Sequence, residues 1–356
     1  MKSLYPPNIQ TCLLFDTPRA VSAKVVASSF ADVEARLSGT RYNPLEVNGD
    51  AFVRLYGTND MMITIERIDG PANATVFAGT LNSGFTRLAL PDSPQLVARH
   101  ASHMLVNVHH GAIPPMDALE KLMGEIGMTA QGHSLEAFKA RLKLAGLLTT
   151  IAHDEGNASL IHWTQSNTLV KPQVFAAMAK EDPPSPIHIH PRMWQEGATP
   201  SGEPRVGFVT LGASHFIGRE ISVKPTHIPW VETYQGAYAF LKLAVMRNGY
   251  IIPDGDTFGD EDQNYSYRAR HIAERNTGET VVPAEYQLEL LMSKKHSFTS
   301  PDYVPPGGAA GTRGVDEEQR RQWAEQGRMA EAAGVRLEVR ARTGEAPARP
   351  VFGKRH

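Results

Sequence analysis

The apolar positions of this chain change period several times, and the changes mark out its elements. "TCLLFD" (11–16) is a short continuous apolar run closed by Asp16 and Pro18, the pattern of a buried strand. "SAKVVASSFADVEARL" (22–37) opens on Ser22 and spaces Val25, Val26, Phe30, Val33 and Leu37 as one face of a helix. "AFVRLYG" and "MMITIERI" alternate on either side of "TND", which predicts a β-hairpin over about residues 51 to 68. A helical stretch near 85–101 then leads into the strand "HMLVNVHH".

Two helices follow, "MDALEKLMGEIG" and "SLEAFKARLKLAGLL", within residues 116 to 147. "ASLIHWT" (158–164) alternates as a strand, and Pro172 suits the first turn of another helix. Residues 181 to 205 hold six prolines, break both periods and read as a long connection. Beyond it, "VGFVTLG" and "EISVKP" read as strands. "WVETYQGAYAFLKLAVMRNG" (230–249) reads as a helix closed at Asn248-Gly249, and "YIIPDGDTFG" and "NYSYRARHI" as strands around an acidic turn.

This order predicts an α+β fold: mainly antiparallel sheets with helices packed on one face, in an arrangement compatible with two related split β-α-β halves. The expected divisions are an N-terminal half over 1–180, the proline-rich connection over 181–205, a C-terminal half over 206–298, and a non-core tail over 299–356. That tail comprises a linker, an exposed helix and a basic end.

Composition narrows the function classes. Thirty-six basic against 38 acidic residues leave a formal charge of -2, so neither nucleic acid nor a membrane surface is the expected partner. The N-terminus lacks the apolar core of a signal peptide, and no apolar run reaches the ~20 residues of a membrane span; a cytoplasmic location is the expectation. The single cysteine, Cys12, excludes an intramolecular disulfide and a cysteine-rich zinc site, and lies in an apolar run where a thiol packs as a small hydrophobe.

Candidate chemistry centres on histidines. "RHASHMLVNVHHG" (99–111) and "PSPIHIHPRMWQ" (184–195) each carry a cluster. In a strand His103 and His109 share a face but lie about 20 Å apart, too far to bind one metal. A combined site would therefore use His100, His103, His188 and His190, with zinc as the ion and metal-dependent hydrolysis as the activity. The competing reading makes them strand-end histidines bonded to backbone or carboxylate, with no cofactor. "PDGDTFGDED" (253–262) gathers Asp254, Asp256, Asp260, Glu261 and Asp262 but lacks the alternate spacing and distal glutamate of a calcium loop. Ser214 in "GASHFIG" has small neighbours without the Gly-x-Ser-x-Gly elbow. The remaining candidates are aromatic: Trp194 beside Arg192 in the proline-rich stretch, and Trp230, residue types that dominate protein interfaces.

Three segments, "ASHMLVNV", "VGFVTLGASHFIGREISVKP" and above all "GAYAFLKLAVMRNGYIIPDGDTFG", resemble the bacterial domain of unknown function 4261 family. The resemblance spans roughly residues 10 to 295. It implies an α+β bacterial cytoplasmic protein encoded near contact-dependent (type VI) secretion and toxin loci, and transfers no catalytic residues. Joined with the absence of catalytic motifs, it makes a non-enzymatic binding protein, such as an immunity or accessory factor, the expected function.

Overall fold

A computed structural model describes residues 5–111, 134–198, 202, 204–226, 228–247, 249–259, 265–276, 278 and 281–291. The helix expected at "MDALEKLMGEIG", the acidic residues Asp260, Glu261 and Asp262, and the tail over 299–356 lie outside the described residues. The chain divides into two compact units, Met1–His190 and a second beginning at Pro191. The architecture is α+β, with sheets dominated by antiparallel pairing.

In the first unit, β1 (Asn8–Phe15), β2 (Tyr42–Asn48), β3 (Phe52–Gly57), β4 (Met61–Ile68), β5 (Ser102–His110), β6 (Leu160–Trp163) and β7 (Thr168–Val170) form one sheet. Its order is β2-β3-β4-β5-β1-β6-β7, and every pairing in it is antiparallel. Strand β1 is central, with Leu13 opposite Met104 on one side and Ile161 on the other. Its side chains alternate between two covered faces, which is why the sequence shows a continuous apolar run instead of alternation.

One face is covered by α1 (Ala23–Leu37) and by α5 (Leu135–Gly156), which packs on β1 and β5 and against α1. Ser22 and Ser134 accept the N-terminal amides of Lys24 and Ala137, so both helices start where the capping residues predict. The Thr11 and Thr149 hydroxyls meet at 2.8 Å and tie β1 to α5 inside this layer. On the opposite face Cys12, Leu14, Leu160 and Leu169 pack with Phe77, Leu90, Leu96 and Val97. These last four come from a 3-10 turn (Ala74–Phe77), α4 (Ser93–Arg99) and the residues between them, where α2 (Ala78–Leu81) and α3 (Gly84–Ala89) also lie. The single helix expected near 85–101 is thus two short ones, broken where Pro91 follows Leu90.

A further helix, α6 (Pro172–Met178), starts at Pro172 as expected. The stretch read as a connection is only partly one. A 3-10 turn (Pro186–His188) is followed by the strand β8 (His190–Ala198).

The second unit is built on the sheet order β11-β12-β15-β10-β9-β8, with β9 (Pro204–Leu211), β10 (Glu220–Thr226), β11 (Thr257–Phe258), β12 (Ser266–Ile272) and β15 (Glu285–Leu291). Strands β10 and β15 run parallel; β9–β10, β11–β12 and β12–β15 are antiparallel. A two-stranded ribbon, β13 (Arg275–Asn276) with β14 (Val281–Val282), lies between them in sequence. The short α7 (Ser214–Ile217) and the long α8 (Trp230–Met246) complete the unit. Phe208, Ile221, Val223 and Leu288 are buried in the sheet. Phe240 of α8 packs near Phe258 and Tyr286 at ring separations of 5.5 and 5.7 Å. Gly249 closes the region after α8 with φ +89° and an N–H donated to the Ala244 carbonyl at 2.8 Å. Among the described residues no helix is long and apolar enough to cross a membrane.

Candidate functional site

The histidines of the combined metal site do not gather. His100 follows α4 and its Nε2 accepts the Ala72 amide N–H at 2.7 Å, while its Nδ1 donates to the Val97 carbonyl. The one lone pair a metal could use is therefore already occupied. His103, at the start of β5, donates Nδ1–H to the Gly70 carbonyl at 2.8 Å, and the two rings meet edge to face with centroids 6.5 Å apart. His188 ends the 3-10 turn instead of continuing a strand, so it does not share an extended face with His190. Its Nδ1 accepts the Ser185 amide at 2.9 Å. The His190 Nε2 meets the Ser83 hydroxyl at 2.7 Å. Among the described residues no three His, Cys, Asp or Glu side chains are placed to hold a metal ion. The set His100, His103, His188 and His190 is corrected accordingly: His100, His103 and His190 bond groups of neighbouring segments, and His188 caps its own 3-10 turn.

Burial acts on several of these rings. It pushes the pKa of His188 down from 6.5 to about 3, and lowers those of His109, His162, His215 and His271. Around His188 lie Trp163 and Phe175, with the Trp163 ring 5.3 Å from the histidine and 5.9 Å from the phenylalanine. A cavity of about 10 Å³ borders Leu142, Gly146, Trp163, Phe175, Ile187 and His188. That is room for one water at most, and no organic substrate fits. Trp163 itself is 1% exposed and belongs to the core.

Ser214 is no better placed for nucleophilic chemistry. Its hydroxyl donates to the Glu220 carboxylate at 2.6 Å, and the same carboxylate accepts from the Thr210 hydroxyl and from the amides of Gly212 and Ala213 at 2.7, 3.0 and 3.1 Å. Four donors on one carboxylate make a latch that fixes the loop before α7 onto β10. In the acidic turn, Asp254 accepts the His271 amide at 2.8 Å and Gly255 takes φ +81°, as a turn anchored on β12 requires.

The aromatic candidates separate. Trp230 is half-buried at the start of α8, its ring 6.4 Å from that of Tyr234. Trp194 is 40% exposed and stands on β8, at the edge of the six-stranded sheet, between the exposed Arg192 and Glu196. Residues two apart on a strand share a face, so Arg192, Trp194 and Glu196 form one row. The sequence does not mark this strand, because nearly every residue after Pro191 is exposed, which erases the alternation of a half-buried strand.

The sheet edges differ in how they are defended. Strand β2 carries Pro44 and a register shift between Pro44 and Glu46, and Glu46 is paired to Arg54 at 2.9 Å. Strands β7 and β11 span three and two residues. Strand β8 runs nine residues, with Pro191 at the second position and Gly197 at φ +69°, and between them Arg192–Glu196 is an extended and mostly exposed segment. An edge of that length is a template for strand addition. Compared with models of known families, with curated proteins and with solved structures, the chain finds no match in any of the three.

Proposed function

We propose that this chain is a non-enzymatic binding protein that receives an extended segment of another polypeptide at β8. Main-chain groups along the open side of the strand supply affinity, and the Arg192–Trp194–Glu196 row supplies selectivity. The observation that carries the reading is the exposure of Trp194 within Arg192–Glu196 on the edge strand of the six-stranded sheet. The histidine geometry favours it over a hydrolase. By the resemblance noted from sequence, such a protein would serve as an immunity or accessory factor beside a secretion or toxin system.

A photo-crosslinking residue placed at Gln195, with a control at Val47 on the β2 edge, tests this in the native host. A covalent adduct to a polypeptide from Gln195, absent from Val47 and reduced by Trp194→Ala, is the expected result. Equal labelling at both edges, or none at Gln195, refutes it.

A further inference from the structure

We infer that the strand received at β8 is β8 of a second copy of this chain. The inference rests on the reading of β8 as a docking edge and names the occupant of that edge.

The argument is one of self-complementarity. Two identical edge strands that pair antiparallel are related by a two-fold axis, and residues on either side of the axis face each other in reciprocal pairs. The row on β8 reads Arg192, Trp194, Glu196, all exposed, with opposite charges equidistant from the tryptophan. Placing the axis at Trp194 sets Arg192 of each copy opposite Glu196 of the other, twice per interface. The two indole rings then meet at the centre. Opposite-charge and aromatic cross-strand pairs are the contacts that stabilise antiparallel pairing. The pairing uses Arg192–Glu196, because His190 and Pro191 are buried and Gly197 takes φ +69°.

Other registers lose this match. Moving the axis by one residue toward either end places Arg192 opposite Trp194 or Ala198 in place of Glu196, and moving it by half a residue sets Arg192 opposite Gln195 or Gly197. In parallel pairing Arg192 would lie beside Arg192 of the second copy, and like charges would repel. A pairing of one strand per copy is small compared with the ~1,200 Å² of a stable interface, so the dimer is reversible and concentration-dependent.

The test uses the full chain and charge exchange. Sedimentation velocity from about 1 to 100 µM is expected to show wild-type protein passing from monomer to dimer. Arg192→Glu and Glu196→Arg should each weaken self-association about tenfold or more, since each turns two attractive pairs into repulsive ones. An equal mixture of the two variants should regain a dimer containing one of each, because their rows are then complementary. Trp194→Ala should weaken the dimer without changing the far-UV circular dichroism. A wild-type chain monomeric throughout this range, an Arg192→Glu variant that associates as well as wild type, or a mixture that stays monomeric overturns the inference. A monomeric chain that still gives the Gln195-specific adduct, now with a different protein, overturns self-pairing and leaves the docking edge standing. Absence of both dimer and adduct removes the two readings together.

Discussion

Replacing His188 with asparagine tests whether a buried neutral imidazole sets the acid sensitivity of the first unit. The ring is 6% exposed, lies 5.3 Å from Trp163 and accepts the Ser185 amide through Nδ1 at 2.9 Å. Burial pulls its pKa from 6.5 to about 3. The folded value lies below the unfolded one, so between them the unfolded chain takes up a proton that the folded chain refuses. The stability at stake is intact above about pH 6.5 and falls as the pH drops toward 3. Each pH unit inside that window is worth up to about 1.4 kcal/mol, so a change from pH 8 to pH 5 removes about 2 kcal/mol through this one group. Asparagine keeps an acceptor for the Ser185 amide and has no proton to gain. Urea unfolding of the two proteins at both pH values gives the comparison, with amide exchange in β6 assigning the change to the first unit. The variant should be less stable at pH 8 through lost packing, with the gap narrowing by about 2 kcal/mol at pH 5. His109, His162, His215 and His271 titrate in both proteins and cancel. A gap that is the same at pH 8 and pH 5 refutes the reasoning.

Gly156→Ala should destabilise despite the better helix propensity of alanine. The added Cβ would lie 2.7 Å from Phe15 Cε1 and 2.8 Å from Val21, and overpacking of that kind costs about 1–3 kcal/mol in chemical denaturation. Thr11→Val and Thr149→Val should each cost about 1–3 kcal/mol by leaving the other hydroxyl unsatisfied, and the double variant should cost less than their sum in a double-mutant cycle. The Cys12 thiol, 4% exposed and pushed up to about 12 by burial, should resist a disulfide reagent such as dithiobis-nitrobenzoate until the chain is unfolded in urea. Rapid labelling of the folded protein would place Cys12 at the surface instead.

The elements that followed from sequence were those whose burial is periodic or complete: β1, α1, the β3–β4 hairpin, β5, α8, and α5 once extended to Gly156. Strands β2, β7, β8, β13, β14 and the central β15 have no counterpart among the expected strands, and β2 and β8 share one physical reason. Strand β2 contains Pro44, which argues against a central strand but costs nothing where the missing N–H faces away from the sheet. Strand β8 is likewise an edge, exposed over most of its length. Edge strands obey a weaker burial rule than central ones, so hydrophobic pattern cannot find them, and the positions most available for binding are the ones that pattern hides.

The histidines make the complementary point. Spacing excludes a joint role for His103 and His109, but it cannot decide between a ligand and a structural ring, since both place imidazoles at strand ends near other chain segments. The deciding variable is which group holds each nitrogen. At His100 it is the Ala72 amide, at His103 the Gly70 carbonyl and at His188 the Ser185 amide, all main-chain groups of loops. Loops laid over a sheet must satisfy their own amides and carbonyls, and a histidine offers one donor and one acceptor on a rigid ring. His100 and His188 each spend their acceptor nitrogen on a main-chain amide, while His103 spends its donor on a carbonyl and has no second ligand beside it to complete a metal site among the described residues. The chemistry offered to a partner lies at the surface, where the row Arg192–Trp194–Glu196 presents two charges of opposite sign around an aromatic side chain on the edge strand β8, the longest of the described sheet edges.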